Sequence, residues 1–450
     1  MNGSHQIVIV GNGISGVTCA RHIRKVDSQV KIILVSGETE HFFSRTALMY
    51  IYMGHMKYEH TKPYADDFWS KNRIDLKFGW VKNVDFSQRF LLFENGEKLS
   101  FEKLILATGS KPNKFGWPGQ DLLGVQGLYS FQDLESMEQR TNEISRAVIV
   151  GGGLIGVEMA EMFASRKIPV TFLVRGKSFW DNVLPTDEAE LVANHIMEHH
   201  IDLRLDTELL EIIDDGNGAV KAVKTSTGEI IPCEFVGLTA GVSPNIDFLK
   251  NTDLKTNRGI VVNKKFQTNI PEVYAIGDCV EFMEAPGPDR KNIEQVWYTG
   301  RMHGETLAFN LTHESPVEYK PGIWFNSAKF FDIEYQTYGF LPTSWGKDKW
   351  SFYWEDETRK IAIRLLFDAQ DLLLATNVFG WRMRHAFFDK AIKEGWDSDK
   401  VIKLLAEASF NPEFFTNHHM EVVHKYNQDK GRNVQLSKKS MFQKIFGFNS

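Results

Sequence analysis

The feature that most constrains this chain is a glycine-rich unit that occurs twice. Residues 6–36 read as an apolar strand, a Gly-x-Gly-x-x-Gly turn, a helix and a second apolar strand, and residues 146–176 repeat this order. Such a repeat indicates a duplicated architecture rather than two chance matches. The strands are apolar without alternation, which is typical of parallel strands covered on both faces. The sequence therefore predicts an α/β fold built on two βαβ units.

The first glycine turn has the spacing that binds the pyrophosphate of a dinucleotide. Gly11 permits the tight turn, Gly13 lets the backbone approach the phosphates, and Gly16 lets the helix pack closely on the strand. Ile14 and Ser15 open the helix, whose N–H groups and positive dipole end face the phosphates. We therefore expect these five residues to bind a dinucleotide.

The second glycine turn predicts a second dinucleotide site in a second domain. Gly151, Gly153 and Gly156 repeat the three glycine positions, and Leu154 and Ile155 open the helix that follows. One such turn is weak support for nucleotide binding, whereas two in the same strand context are far more specific.

Charged residues at the end of the second strand of each unit bear on which nucleotide binds there. In the first unit, Glu38 is the candidate acid for the ribose hydroxyls, and a solvated turn glutamate is the alternative. In the second unit, Arg175 and Lys177 stand where an NAD-selective site usually carries an acid. An arginine there can meet a 2′-phosphate, which favours NADPH over NADH, unless both residues are ordinary surface cations.

Five segments, GNGISG, LILATGS, GGGLIGVE, AGVSPN and YAIGDC, occur in the order found in one family. Through them, roughly residues 5–380 resemble the FAD-dependent pyridine-nucleotide oxidoreductases that have two dinucleotide-binding domains. The resemblance implies FAD in the first domain, NAD(P)H as co-substrate in the second, and hydride transfer from the nicotinamide to flavin N5. It also implies further cofactor-binding residues, with the aspartate on the flavin ribityl chain: Ala107, Thr108, Gly109, Gly241, Gly277 and Asp278.

Within this family, the segment ETEHFFSRTALM is similar to the branch of nitrite reductases, rubredoxin reductases and apoptosis-inducing factor. That similarity implies that Arg45 lies against FAD, with a surface arginine as the alternative. The segment YTGRMHGETL resembles the helix after the Gly-Asp segment in the same branch. The resemblance further implies that Trp297 borders the flavin and that Glu158 lies near the nicotinamide, and we take these two as the candidate catalytic residues.

The chain also departs from this family, and the departures concern its redox groups. Tyr50 takes the position at which many relatives carry a lysine. Cys19, Cys233 and Cys279 have no CxxC spacing and do not match the redox cysteines of disulfide or coenzyme A-type reductases. A thiol relay is therefore not expected. We predict that electrons pass from the flavin to an external acceptor that the sequence does not identify, either a protein carrier, oxygen or a small molecule.

Two other functions stay open at this point. One is a slow-turnover redox-sensing or assembly flavoprotein similar to apoptosis-inducing factor. The other is a peripheral-membrane NADH dehydrogenase, although the segment IEQVWYTG shares only Gln295 with the quinone motif of those enzymes. Residues 326–329 read NSAK where ferredoxin reductases often show Trp-Ser-Asp-Gln, which weakens the case for an iron–sulfur carrier.

The order of the segments predicts the domain division. The FAD domain is expected to be split by the NAD(P)H domain, because YAIGDC returns to FAD after the second glycine turn. Residues 350–380 read as a three-stranded antiparallel meander with polar turns, and residues 381–424 have helical spacing. The expected division is an FAD domain, an NAD(P)H domain, a C-terminal antiparallel-sheet and helical domain, and a basic amphipathic tail, at residues 1–115 with 245–322, 116–244, 323–425 and 426–450.

Composition excludes several functional classes. A net charge of −6 gives no reason to expect nucleic acid as a partner. No disulfide framework, signal peptide or apolar run of membrane-spanning length is visible, so we expect a cytoplasmic protein. The tail is expected to contact a membrane surface or a partner, or else to cap the protein's own core or stay disordered. A homodimer is expected by family resemblance alone.

Three histidines, His195, His199 and His200, have helical spacing that could suggest a metal site. We interpret them as solvated histidines at the end of a helix, because no cysteine or carboxylate pattern nearby completes a ligand set. The sequence therefore predicts no metal site.

Overall fold

The structure is a computed structural model that describes residues 6–410 and 415–437. It divides the chain into two compact units. One unit comprises Met1–Arg175 and His200–Gly322, and the other comprises Gly176–His199 and Ile323–Ser450.

The first glycine turn lies in a five-stranded parallel sheet of the first unit. The apolar strands are buried on both faces, as their composition predicts. The strand Val273–Ala275 comes after the whole second glycine unit in the sequence, yet it pairs with Lys103–Leu106 of the first sheet. The first domain is therefore split, as predicted. The strand order is Val273–Ala275, Lys103–Leu106, Gln6–Val10, Lys31–Ser36 and Ile74–Phe78.

The second glycine turn lies in a second parallel sheet with the same local arrangement. Its helix, Leu154–Ser165, follows the central strand Ala147–Val150. The duplicated architecture is therefore confirmed. The strand order is Asp202–Arg204, Val170–Leu173, Ala147–Val150, Phe235–Leu238 and Val125–Gln126.

Two helices of the first unit pack closely through glycines. The helix Ile14–Val26 lies against Trp297–Thr312. A Cβ atom at Gly300 would lie 2.7 Å from Ser15 Oγ, and one at Gly304 would lie 2.5 Å from the Ser15 carbonyl oxygen. Because only glycine allows this approach, the contact fixes the N-terminal half of the second helix beside the first glycine turn.

Smaller elements complete the first unit. Ser110–Pro112 and Val242–Pro244 pair antiparallel, close to the predicted boundaries between the FAD and NAD(P)H domains. The other strands form two antiparallel sheets and one parallel pair: Val81–Asp85, Phe90–Phe93 and Lys98–Ser100; Leu209–Asp214, Val220–Thr225 and Ile230–Pro232; Ile260–Val262 and Val280–Phe282. The remaining α-helices and 3-10 helices are Leu48–Tyr52, Phe68–Lys71, Phe131–Arg140, Arg45–Ala47, Tyr58–Thr61, Thr141–Glu143, Asp247–Leu249 and Gly277–Cys279.

The second unit is built on a five-stranded antiparallel sheet. The predicted meander is confirmed, and two strands that the sequence did not predict, Phe325–Phe330 and Ile333–Tyr338, extend it. The strand order is Phe325–Phe330, Ile333–Tyr338, Leu373–Phe379, Ala362–Asp368 and Lys349–Glu355. The helices of this unit are Thr186–Glu198, His385–Lys393, Ser398–Ala408 and His419–Lys430.

The second unit includes more residues than the C-terminal domain that was predicted from the sequence. It includes the helix Thr186–Glu198, which the domain division placed within residues 116–244. A buried ion pair holds this helix to the sheet, because Arg364 Nε donates to Glu188 Oε1 at 2.8 Å. The packed part also continues past residue 425, since Tyr426 is 1% exposed. The basic segment 438–450 lies outside the described residues.

In the part of the chain that the structure describes, we find no helix with the length and apolar character needed to cross a bilayer.

Candidate functional site

A cavity of about 560 Å³ opens at the first glycine turn. Its lining comes from the ends of the parallel strands, the place where α/β sheets bind ligands. The predicted site residues that line it are Gly11, Gly13, Ile14, Ser15, Glu38, Arg45, Ala107, Thr108, Gly109, Ile155, Glu158, Asp278 and Trp297.

The glycines of the first turn have different structural roles. Gly11 has φ +115°, and a Cβ atom there would lie 2.1 Å from the Ala107 carbonyl oxygen. A Cβ atom at Gly16 would lie 2.0 Å from the Gly11 carbonyl oxygen. Gly13 has φ −72°, and a Cβ atom there would meet nothing within 4 Å. Gly11 and Gly16 are therefore required by packing, whereas Gly13 leaves open space where a phosphate group would approach.

The glycines of the second turn fall into the same two groups, those required by packing and one that leaves open space. Gly151 has φ +115°, and a Cβ atom there would lie 2.7 Å from Ala240 Cα; a Cβ atom at Gly156 would lie 2.5 Å from the Gly151 carbonyl oxygen. Gly153 has φ −118°, and a Cβ atom there would meet nothing within 4 Å. The same backbone geometry in both copies supports two phosphate-binding turns.

Glu38 and Arg45 form a bidentate ion pair at the cavity wall. Arg45 Nη1 donates to Glu38 Oε1 at 2.7 Å, and Arg45 Nη2 donates to Glu38 Oε2 at 2.6 Å. The Phe131 N–H also donates to Glu38 Oε1 at 2.8 Å. Burial acts to lower the pKa of Arg45, but the Glu38 carboxylate outweighs it and raises this pKa. The two side chains thus form a fixed ion pair at the cavity wall, and Glu38 is not the solvated turn residue of the alternative interpretation.

Asp278 lies on the 3-10 turn Gly277–Cys279 with its carboxylate facing the cavity. The Tyr129 hydroxyl donates to Asp278 Oδ2 at 3.3 Å, and the Ser110 N–H donates to the Tyr129 hydroxyl at 2.9 Å. Burial raises the pKa of Asp278 to about 6, and the hydrogen bond from Tyr129 opposes this rise. A hydroxyl donor from a ligand would stabilise the carboxylate further.

A buried histidine supports this aspartate turn. His303 is 1% exposed, and its Nδ1 accepts a hydrogen bond from the Gly277 N–H at 3.1 Å. Burial lowers the pKa of His303 to about 3, so the imidazole is neutral. Neither His303 nor Tyr129 was predicted from the sequence as a site residue. His303 does lie in the segment YTGRMHGETL that carried the family resemblance, whereas Tyr129 has no local signal.

Residues of the second glycine unit also reach the cavity. Ile155 and Glu158 line it from the helix Leu154–Ser165, and Trp297 lines it from the start of its own helix. Gly241, at φ +90°, follows the second sheet. Arg175 is exposed just beyond the strand Val170–Leu173. Lys177 is also exposed, but it belongs to the other unit.

The cysteines are unsuited to redox chemistry. Cys19, Cys233 and Cys279 are free and buried. Burial raises the pKa of Cys233 to about 12 and that of Cys279 to about 11, and it raises the pKa of Cys19 as well. Because the thiolate is the reactive form, all three are inert at neutral pH.

The interpretation of His195 as a solvated histidine was wrong. The helix Thr186–Glu198 ends where the sequence predicted, but His195 is 2% exposed on its inner face. Burial lowers the pKa of His195, and the nearby carboxylate of Asp332 opposes this shift. Only His200 is exposed as expected, while His199 is partly buried.

The split parallel sheet and the two glycine turns, each in its own parallel sheet, define a protein with two dinucleotide-binding domains. The family model of the pyridine nucleotide-disulphide oxidoreductases matches residues 5–304, which is more than half of the chain. The chain belongs to this family.

Relatives of known name include several electron-transfer reductases. The chain is 28% identical over 280 residues to the assimilatory nitrate reductase electron transfer subunit of Bacillus subtilis, a match that covers 61% of this chain and 36% of that protein. It is 27% identical to the rubredoxin-NAD(+) reductase of Acinetobacter baylyi, over 69% of this chain and 80% of that one. It is 29% identical to an NADH oxidase of Methanocaldococcus jannaschii, a match that covers 62% of this chain and 63% of that protein. The chain thus spans only about a third of the Bacillus protein.

Solved structures share the fold. An NAD-dependent persulfide reductase from A. fulgidus superimposes with a TM-score of 0.81 at 21% identity, covering 95% of this chain and 84% of that chain. A ferredoxin reductase from Rhodopseudomonas palustris superimposes with a TM-score of 0.76 at 21% identity, covering 91% of this chain and 96% of that chain. At these identities the similarity supports the fold alone.

The two unobstructed glycines allow a matched test of the two turns. We expect Gly13→Ala to fold normally but to weaken FAD binding about 10-fold or more, because the methyl group would enter the space for the phosphates. We expect Gly153→Ala to keep its flavin but to raise the KM for NAD(P)H. Flavin absorbance per chain and steady-state kinetics measure the two effects. Equal flavin loss in both variants would contradict the assignment of one nucleotide to each turn.

The raised pKa of Asp278 predicts a pH dependence of flavin binding. A ribityl hydroxyl that donates to Asp278 favours the carboxylate, so FAD binding lowers the pKa of this group from about 6. FAD affinity should then be full above pH 6 and should fall by up to about 10-fold for each pH unit below it. Flavin fluorescence titrations of the apoprotein measure this affinity. The Asp278→Asn variant should bind FAD more weakly, with an affinity that does not change with pH. Identical pH profiles for the variant and the parent protein would exclude this role of Asp278.

Proposed function

We propose that this protein is an FAD-dependent NAD(P)H oxidoreductase that passes electrons from its flavin directly to an external acceptor. The observation that carries the proposal is the cavity at the first glycine turn, which brings residues from both glycine units to one place. Gly13 would face the FAD pyrophosphate, the Glu38–Arg45 pair would bind near the adenosine part, and Asp278 would accept from the ribityl chain. When bound, the flavin supplies a hydride acceptor next to the nicotinamide.

The side chains of this site would position the cofactors and exclude solvent, and none of them would need to form a covalent bond. Glu158 and Trp297 line the same cavity as the first glycine turn, which supports their predicted places beside the nicotinamide and the flavin. Trp297 begins the helix Trp297–Thr312, whose N-terminal N–H groups carry partial positive charge. A positive helix end near the flavin would stabilise negative charge on the reduced ring.

The state of the cysteines supports the direct exit of electrons. Each thiol is free and buried and its pKa is raised, so none is suited to form the disulfide or sulfenic acid that would accept electrons from a reduced flavin. Among the acceptors left open by the sequence, a protein carrier is favoured by the named relatives, which include a rubredoxin-NAD(+) reductase and an electron transfer subunit. Oxygen remains the second candidate acceptor, because another relative is an NADH oxidase.

Replacement of all three cysteines tests the direct path. We expect the variant Cys19→Ala, Cys233→Ala and Cys279→Ala, normalised to bound flavin, to oxidise NAD(P)H with rubredoxin, ferredoxin or oxygen within about 2-fold of the parent rate. Normalisation separates chemistry from the packing loss of buried side chains. Flavin that is reduced normally by NAD(P)H but no longer reoxidised by the acceptor would show that a thiol carries the electrons.

The choice of nicotinamide depends on Arg175 in our proposal. Arg175 is exposed directly after the second strand of the second unit, where a guanidinium can bind the 2′-phosphate of NADPH. Arg175→Glu should lower the ratio of kcat/KM for NADPH over NADH by roughly 10-fold, the size of one charge-assisted contact. Lys221→Glu, an equal charge change at an exposed position of the same unit, is the control. An unchanged ratio in the Arg175 variant would show that Arg175 does not bind the 2′-phosphate.

A further inference from the structure

Two imidazoles and a carboxylate converge in the second unit. His195 and His199 are one helical turn apart at the end of the helix Thr186–Glu198, so they project from one face. Asp332 lies in the turn that joins Phe325–Phe330 to Ile333–Tyr338. Asp332 Oδ1 lies 2.5 Å from His195 Nε2 and 3.2 Å from His199 Nε2, and the two Nε2 atoms are 3.3 Å apart.

Two of these three distances match the spacing of ligand atoms around a small metal ion. Zinc binds imidazole nitrogen and carboxylate oxygen at about 2.0–2.2 Å in tetrahedral geometry, which separates neighbouring ligand atoms by about 3.3 Å. The separations of His199 Nε2 from His195 Nε2 and from Asp332 Oδ1 have this value, and only the contact between His195 and Asp332 is shorter. An ion at the centre of the three atoms would therefore need a shift of less than 1 Å in one contact.

An ordinary ion pair explains this arrangement less well. One protonated imidazole on Asp332 would be enough to hold the helix to the turn. Here both Nε2 atoms face the same carboxylate oxygen and each other, so the three atoms converge on one point. A shared cation gives both nitrogen lone pairs and the carboxylate a common partner.

The surroundings orient His199 and Asp332. The ring of His199 stacks on Phe331, with centroids 4.2 Å apart and planes 7° apart. Phe331 has φ +55°, a conformation that few bulky residues adopt, and it presents the next residue, Asp332, to the histidines. Behind the other ring, Glu198 Oε2 lies 3.6 Å from His195 Nδ1. This separation is longer than a hydrogen bond, so Glu198 lies near His195 without holding its ring.

We propose that His195, His199 and Asp332 form a binding site for one divalent transition-metal ion, with zinc as the best fit. Two imidazoles and one carboxylate suit zinc, and water would take the fourth position on the solvent side, where Asp332 is 66% exposed. The ion would join the end of the helix to a hairpin turn far away in the sequence. Its role would be structural, and it would take no part in the flavin chemistry.

Metal titration of the full-length protein, with bound flavin and without an affinity tag, tests this site. After dialysis against a chelator, zinc added in a calorimeter should bind with one equivalent per chain and should raise the midpoint of thermal unfolding. Cobalt(II), used as a spectroscopic probe, should give the intense visible bands of tetrahedral coordination. If neither ion binds stoichiometrically, the proposal is wrong.

Variants of the two more accessible ligands locate the binding. His199→Ala and Asp332→Asn should each weaken zinc binding on the order of 100-fold, and should abolish the tetrahedral cobalt bands. His200→Ala, at the exposed neighbouring position, should bind zinc like the parent protein and is the matched control. Flavin absorbance and circular dichroism report whether each variant is folded. Folded His199 and Asp332 variants that bind zinc as tightly as the control would overturn the assignment.

Discussion

The close approach of the first glycine turn to the neighbouring strand is the contact on which the site depends. Gly11 passes so near the Ala107 carbonyl that no side chain fits between them, and Gly16 packs in the same way on Gly11. This packing fixes where the helix Ile14–Val26 begins, and therefore where its free N–H groups point. Gly300 and Gly304 then bring a second helix against the first, which places Trp297 at the same cavity.

The electrostatics of the cavity follow from this frame. Paired charge at Glu38 and Arg45 is stable in a partly buried place because each group satisfies the other. Asp278 is different, since neutral donors hold it and burial raises its pKa. The cavity thus offers a neutralised ion pair and, linked to it through Tyr129, a carboxylate that gains from a hydroxyl donor. A cavity with a few converging polar groups of this kind is typical of a cofactor site.

Much of the fold could be predicted from the sequence because its signals are local. The glycine turns, the apolar strands and the meander each depend on short stretches of chain, and the structure confirms them. The strand Phe325–Phe330 escaped prediction because polar and small residues interrupt its apolar pattern, whereas Ile333–Tyr338 alternates as a half-buried strand does and could have been predicted. Tyr129 and the burial of His195 depend on partners far away in sequence, Asp278 and Asp332, which no local pattern reveals. For the same reason the predicted roles of the site residues stay predictions, although the structure brings most of them to one cavity.

The central claim is that the flavin is the only redox station between the nicotinamide and the acceptor. An anaerobic reductive titration of the protein with its flavin bound measures this directly, because it counts electrons taken up per flavin. The account predicts full bleaching of the flavin at one hydride equivalent, with no further uptake and no new thiol exposed afterwards. Uptake of a second equivalent per flavin would contradict it, since that result requires another redox group within the chain.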